Sequence, residues 1–461
     1  MNYSDTARVK AVLKSCGFSY VEKIEDADIV IFDTCSVRQK SEDKITKLKE
    51  ISKFKKIWIT GCMAQHNFKH SSITNKLHKK KTNTLMQKNF QTIKTKEPEI
   101  IITNDEINNL NKTHKNIENK ELLFVNNAFN PFFYNLQKTY SNLELVFRID
   151  DLFLPKILKK LYSVQETINT NEYSEIIPDF ISNNTCSLTA YIPISTCNQF
   201  CSFCIVPYAR LEKHRPVIEI VSEAEKHIQN AKEIYLLGQI VNKHPEFTTI
   251  IKEILKIKLK RLRYTSPYPT YYTDELFQLH QNEKKLCPHI HIPLQSSNSI
   301  LKKMFRGYTS EQFKTFIDKI RNLKREISIT TDIIVFPDET EQNFTETIEL
   351  VKYCNFSMIY IGIYSPRPTY ASRKMEDNIP YQTKHNRRTQ LNSLLQKLST
   401  EQNQKEIKTK YILIQKKTKD FEYTNNQKTV IITKNTEIQT NSFQKVKIID
   451  KSLKLFEIIK K

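Results

Sequence analysis

The chain has 461 residues with 72 Lys+Arg against 50 Asp+Glu, a formal charge of +22, which points to two or three domains and suits a polyanionic partner such as nucleic acid. Lys, Asn and Ile dominate throughout, so codon bias accounts for the basicity equally well. No apolar run reaches 18 residues and MNYSDTARVKAVL lacks a secretory pattern, so membrane and secreted classes are set aside; a cytoplasmic protein is expected, its nine cysteines serving as thiols and metal ligands rather than disulfides.

Residues 1–110 open with a helical pattern (Thr6 to Cys16), then an apolar run (Ala27 to Phe32), a polar helix (Gln39 to Lys53) and a second apolar run (Ile57 to Thr60). This is α/β patterning. Cys35 and Cys62 each stand just past an apolar run, where open α/β sheets collect ligands. Pro98 to Leu110 reads as a further strand and helix closing this domain. Residues 111–187 are Asn/Lys-rich and weakly periodic, and are read as an expanded linker or insertion with no expected function.

From 188 to 404, six apolar runs alternate with amphipathic segments: Tyr191 to Ile194, Glu233 to Leu237, Arg261 to Thr265, His289 to Leu294, Ser328 to Val335 and Met358 to Tyr364. The alternation predicts a parallel β/α barrel of TIM-like type, whose chemistry sits at the C-terminal ends of the strands. Residues 405–461 switch to short alternating runs with 14 Lys and no Arg, which predicts a small basic β-barrel or sandwich.

In TAYIPISTCNQFCSFC the first barrel strand runs into Cys197, Cys201 and Cys204, spaced CxxxCxxC. One short loop can wrap three thiolates around a cubane that four thiolates normally hold, leaving one iron open to chelation by S-adenosylmethionine (SAM). Electron transfer into the sulfonium then yields a 5′-deoxyadenosyl radical. The alternative is a structural zinc site, but zinc motifs pair two CxxC halves and no second half occurs.

With those motifs in place, the chain resembles the radical-SAM methylthiotransferase family, and within it the MiaB-type tRNA branch. The likeness runs through ADIVIFDTCSVRQKSEDK, TGCMAQ, EIYLLGQIVNKH, RYTSPYPTYYTDEL, CPHIHIPLQSSNSILKKMFRGYT, TDIIVFPDETEQNF and IYSPRPTYAS, in the family's order. It implies two 4Fe–4S clusters, one on Cys197, Cys201 and Cys204 and a second on N-terminal cysteines including Cys35 and Cys62. It implies SAM as cosubstrate and a TRAM-like, RNA-binding C-terminal domain. The implied reaction is methylthiolation of C2 of N6-isopentenyladenosine beside the tRNA anticodon, served by a reducing electron donor and a sulfur donor, in a monomer. Siblings acting on another tRNA base or on a ribosomal protein share the cluster motif; a non-catalytic RNA-binding remnant is the alternative from another class.

Four further residues are candidates for cofactor binding. Gly238, Gln239 and Asn242 follow a strand and either line the SAM pocket or make a plain β-to-α turn; Arg367 either anchors a carboxylate or phosphate or braces a Pro-rich turn. No general acid–base pair is assigned, as radical chemistry needs none. His289 and His291 are read as packed or solvent-facing rather than ligands, and Cys16, Cys186, Cys287 and Cys354 as structural. The terminal lysines either grip tRNA phosphates or form a solvated face.

Two departures from the family pattern stand out. Its first N-terminal cluster cysteine lies in a GC-x-MN segment, and this sequence begins at the MN, which we read as a late-called start. Only five glycines occur, where ordinary usage would give about 30. Single residues are missing where the family has glycine: before Cys197, after Arg210, between Ser296 and Ser297, before Phe336 and before Thr369. This pattern suggests a stop codon read as glycine and skipped in translation of the gene sequence. Peptide mass spectrometry on the native protein is then expected to find each junction peptide heavier by one glycine; a peptide running directly from Ser296 to Ser297 would remove the idea.

Overall fold

The computed structural model describes residues 9–10, 13–14, 18–21, 23–34, 56–61, 123–124, 141–147, 188–209, 212–366, 375–405, 409–414, 421–424, 426, 429–431, 442–448 and 456–458. Two compact units are present, one drawn from Asn2–Ile177 with Ile205–Leu211 and the other from Pro178–Cys204 with Glu212–Lys461.

In the first unit, β1 (Ile29–Thr34), β2 (Lys56–Gly61), β3 (Leu123–Phe124) and β4 (Leu143–Val146) form a parallel sheet in the order β1-β2-β4-β3. Ile57, Trp58 and Ile59 are fully buried, as befits a continuous apolar run in a central parallel strand covered on both faces. The Trp58 indole N–H donates to Glu144 at 2.9 Å, and its ring meets Phe18 and Phe147 edge-on at 6.0 and 6.4 Å. The segment read as a linker thus contributes two strands. The longer, β4, is LELV, only three apolar residues around Glu144 and lost among Asn and Lys, and pairing with β2 rather than local pattern makes it a strand. Residues 9–10 and 13–14 are helical, within the expected first helix; Cys16, the Gln39 to Lys53 segment, Pro98 to Leu110 and Cys186 lie outside the described residues.

The second unit carries β5 (Thr189–Ser195), β6 (Glu233–Gly238), β7 (Arg261–Tyr264), β8 (His289–His291), β9 (Ser328–Val335) and β10 (Met358–Ile363), matching the six runs expected from sequence. All pair in parallel as β5-β6-β7 and β8-β9-β10, and a parallel bridge from Leu262 to Leu286 joins the two sets. Between and after them run α1 (Val217–His227), α2 (Phe247–Lys256), α3 (Asp274–Asn282), α4 (Asn298–Lys303), α5 (Ser310–Arg321), α6 (Glu341–Cys354) and α7 (Tyr381–Lys405). Thr309 and Thr340 open α5 and α6 with full capping boxes, so the return from strand to helix is set locally.

Period-two alternation sorts the strands into two faces. Ile192, Ile194, Ile234, Leu236 and Leu262 pack on Ile220 and Ala224 of α1 and on Ile250, Ile251 and Ile254 of α2. Ile329, Ile333 and Ile359 do the same against α5 and α6. The opposite, inner face presents Tyr191, Glu233, Tyr235, Arg261, Arg263, His289, His291, Thr330, Asp332 and Tyr360, where a closed barrel would be packed with aliphatic layers. At its N-terminal end Glu233 accepts from Arg263 Nε at 2.5 Å, from Arg261 Nη2 at 3.3 Å and from the Thr189 hydroxyl at 3.1 Å.

Five antiparallel strands follow: β11 (Thr409–Ile414), β12 (Phe421–Thr424), β13 (Thr429–Ile431), β14 (Ser442–Ile448) and β15 (Phe456–Ile458), in the order β13-β12-β11-β14-β15. Among the described residues no helix is long and apolar enough to cross a membrane.

His280 of α3 is fully buried, bonded to the Tyr264 hydroxyl and stacked on Tyr272. Burial, with Arg325 nearby, pulls its pKa down to about 3 from an ordinary 6.5. Below pH 6.5 the unfolded chain takes up a proton that the fold refuses, so stability is whole above 6.5 and lost toward pH 3, by about 1.4 kcal/mol per pH unit. Urea melts between pH 7.5 and 4 are expected to show a smaller acid loss for His280→Gln than for the parent chain.

Candidate cluster and cofactor site

The thiol loop begins where β5 ends. A parallel register shift between Pro193 and Ser195 breaks the ladder, and the chain then leaves the sheet. Its base is closed by the returning strand: Ser195 bridges His214, Thr196 N–H donates to Lys213 O at 3.1 Å, and Lys213 N–H donates to Thr196 Oγ1 at 2.8 Å. On this loop Cys197 and Cys201 are buried and Cys204 half-buried. The Cys204 N–H donates to Cys201 O at 2.9 Å, the Gln199 N–H to Cys197 Sγ at 3.3 Å and the Ser202 N–H to Met304 O at 3.1 Å. Phe203, between the last two cysteines, meets Phe336 edge-on at 6.4 Å.

Two cations face the thiols. Arg306, in the turn after α4, places Nη1 3.5 Å from Cys201 Sγ. Its guanidinium is wedged against the rings of Tyr268 and Tyr308, 4.6 and 5.1 Å from their centroids, and bonds the Tyr308 hydroxyl at 2.9 Å and Pro293 O at 3.3 Å. Burial opposes that charge, but Tyr308, Cys201 and Tyr268 together raise the arginine pKa above its ordinary value. From the loop after β6, Lys243 pairs with Glu212 at 2.7 Å and bonds Asn198 beside Cys197. Burial pushes the Cys197 thiol up, and the Gln199 N–H, Lys243 and Arg306 pull it back toward thiolate.

The donor set fits an iron–sulfur cluster. It offers three thiols on one loop, an N–H aimed at sulfur and two cations to offset thiolate charge. Among the described residues no three His, Cys, Asp or Glu side chains gather as a site for a single ion; a cubane instead spreads its ligands over separate irons.

Of the cofactor-binding candidates, Gly238 packs so closely on the end of β5 that a Cβ there would lie 2.7 Å from Val241 and 2.8 Å from Ser195 Oγ, so only glycine fits. Both of its backbone polar groups bond the Thr265 hydroxyl at 2.9 Å. Gln239 is half-buried. Asn242 clamps the Tyr268 backbone, donating to its O at 2.9 Å and accepting from its N–H at 2.7 Å. Tyr268 in turn accepts from Gly307 N–H at 2.8 Å, so Asn242 is tied to the Cys201 sulfur through Tyr268 and Arg306. Arg367, Cys35 and Cys62 lie outside the described residues.

Sequence reasoning did not single out Arg306, Lys243, Gln295 or Glu339. Gln295, just past β8, has φ of 79° and a buried side-chain oxygen with no hydrogen-bond partner, a combination typical of ligand-facing positions. Next to it Ser296 donates to Glu339 at 3.1 Å; burial lifts the Glu339 carboxyl to about 7, against the pull of Arg387 at 3.2 Å. The available signal was a charged residue set between aromatics in MFRGY, which only the fold brings to the thiol loop.

Three thiols spaced CxxxCxxC at the C-terminal mouth of a parallel β/α barrel define a radical-SAM protein, and residues 191–351 match the Radical SAM superfamily. Residues 1–86 match a family described as uncharacterized protein family UPF0004. Proteins named tRNA-2-methylthio-N(6)-dimethylallyladenosine synthase are similar over most of their length: one from Wolbachia pipientis subsp. Culex pipiens is 33% identical over 432 residues, 88% of this chain and 84% of that protein. One from Ehrlichia ruminantium is 30% identical over 476 residues, 98% of this chain and 94% of that protein; one from Thermoanaerobacter sp. is 30% identical over 417 residues, 87% and 77%. The chain belongs to the tRNA methylthiotransferase family of radical-SAM proteins.

Arg306→Lys keeps the charge but loses the planar fork and its stacking. The expected cost is about 1.5–3 kcal/mol in denaturant melts, from lost hydrogen bonds to a charged group. Iron bound after anaerobic reconstitution should also fall severalfold faster under a chelator; unchanged retention would show that the guanidinium does not support the thiol loop.

Proposed function

We propose that this chain transfers a methylthio group to C2 of N6-isopentenyladenosine beside the tRNA anticodon, working with two 4Fe–4S clusters and SAM. The observation that carries the reading is the thiol loop at the barrel mouth, backed by Arg306 and Lys243, in a chain of this family. Cys197, Cys201 and Cys204 would hold one cluster. Cys35 and Cys62 would ligate the second: they are the next residues in sequence after Thr34 and Gly61, which are register partners at the ends of β1 and β2. Parallel strands ending level are the arrangement in which α/β sheets collect ligands.

When bound, cluster and SAM supply a one-electron cleavage whose carbon-centred radical can attack an aromatic C–H bond. The protein's own part is positioning. Arg306 sets positive charge 3.5 Å from the Cys201 sulfur, and Lys243 with Asn198 and Glu212 braces the same loop. Gln295 offers an unpaired carbonyl to a ligand's N–H or O–H, and Gly238 admits close backbone packing at the base of the loop. Gln239 and Arg367 are proposed to complete the cofactor pocket. The lysines of residues 405–461, a stretch we read as a TRAM-like domain, would hold tRNA phosphates and make affinity fall with salt. An external reductant and a sulfur donor complete the cycle of a cytoplasmic monomer.

Iron and sulfide analysis with EPR on anaerobically reconstituted full-length protein tests this. About eight irons in two distinct clusters are expected, falling to about four in Cys201→Ser. Mass spectrometry of nucleosides from treated tRNA should show the 2-methylthio product only in the parent protein. About four irons in the parent would leave a radical-SAM protein without its sulfur site, and none would favour an RNA-binding remnant.

A further inference from the structure

The inner barrel face carries a hydrogen-bonded line that the cluster chemistry does not use. His289 Nε2 lies 2.9 Å from Thr330 Oγ1, Thr330 Oγ1 lies 3.0 Å from His291 Nδ1, and His291 Nε2 lies 3.3 Å from Asp332 Oδ2. Burial first, then Arg263, holds the His289 pKa well below its ordinary value, so this ring is neutral. An arrangement that satisfies every contact has His289 Nε2–H donating to Thr330, the Thr330 hydroxyl donating to His291 Nδ1, and His291 Nε2–H donating to Asp332; reversing the two Thr330 bonds leaves the last one unchanged. The line thus aims a carboxylate. The Asp332 side chain is 36% exposed against 17% for His291, so the acceptor sits at the open end.

Beside it, Asp332 pairs in register with Tyr360 on β10. Tyr360 is 45% exposed and meets the His291 ring edge-on at 5.7 Å. A half-exposed aromatic ring next to a fixed acceptor, on the inner face of an otherwise well-buried barrel, suits a flat guest with a hydrogen-bond donor on its rim. Nucleobases taken out of a helix are read in this way, by stacking and by edge hydrogen bonds. Adenine carries an exocyclic N–H donor where guanine carries a carbonyl acceptor, and a carboxylate favours the first and repels the second.

We propose that Asp332 and Tyr360 form the seat of the substrate base: Tyr360 stacks on the purine ring, and Asp332, oriented by His291 and Thr330, accepts its exocyclic N6–H. This rests on the reading that the substrate is an adenine-derived tRNA base. An N6-monoalkylated adenine keeps one such hydrogen, and an N6,N6-dialkylated adenine has none. The seat therefore distinguishes the two by chemistry rather than by size alone.

The test is fluorescence anisotropy with full-length protein and two labelled anticodon stem-loop RNAs, bearing N6-isopentenyladenosine or N6,N6-dimethyladenosine at the target position. The parent should prefer the first about tenfold, the worth of a hydrogen bond to a charged acceptor. Asp332→Asn, which keeps the shape, should abolish that preference. Tyr360→Ala should weaken both RNAs about tenfold, and Tyr360→Phe neither, since stacking needs the ring and not the hydroxyl. A preference that survives in Asp332→Asn, or unchanged binding by Tyr360→Ala, overturns the seat. A parent that methylthiolates tRNA yet shows no preference overturns the seat alone; a parent that binds neither RNA overturns the tRNA reading with it.

Discussion

The Arg306 guanidinium lies between two tyrosine rings and 3.5 Å from a cysteine sulfur, and the geometry of the site depends on that buried charge. Removing a guanidinium from water is costly unless its fork is satisfied, and here Tyr308, Pro293 O and the sulfur share the task. Tyr308 shares the turn of Arg306, and the remaining contacts come from different loops at the C-terminal end of the barrel. Tyr268 follows β7 and is clamped by Asn242 after β6; Pro293 follows β8; Cys201 follows β5. One cation thus ties four strand ends into a single mouth.

The barrel beneath the mouth owes its polar interior to where apolar residues were spent. Isoleucine and leucine from β5 to β10 go outward to the helices. Tyrosine, arginine, histidine and aspartate remain inside. The Glu233, Arg261 and Arg263 cluster is weak evidence for stability, since buried ion pairs recover little beyond their desolvation. Its effect is to keep the inner face polar, and a polar inner face with half-exposed Tyr360 can accept a base.

Much of this was legible in the one-dimensional pattern. Six apolar runs at regular spacing became six parallel strands, because period-two alternation and short turns are local properties. The three thiols were visible from spacing alone. The β4 strand was not, since three apolar residues and a glutamate in polar text carry too little periodicity and only Trp58 and its neighbours on β2 make them a strand. Asn242 was read as lining a cofactor pocket or making a plain β-to-α turn; its carboxamide bonds the Tyr268 backbone, a contact 26 residues away that no local signal announces. His291, read as packed or solvent-facing, proved to be a bonded link to Asp332 across neighbouring strands.

The amino-acid sequence by itself determined the order of elements, the alternation that separates inner from outer faces, and the thiol loop at the end of the first barrel strand, because each depends on neighbours within a few residues. The tertiary structure alone decided which charges meet which thiols and which polar side chains share the barrel interior. Arg306 lies 105 residues from Cys201 and Asp332 lies 41 from His291. Such pairs are set by parallel strand register and by the loops that register brings together, and that geometry exists only once the helices have buried the outer face.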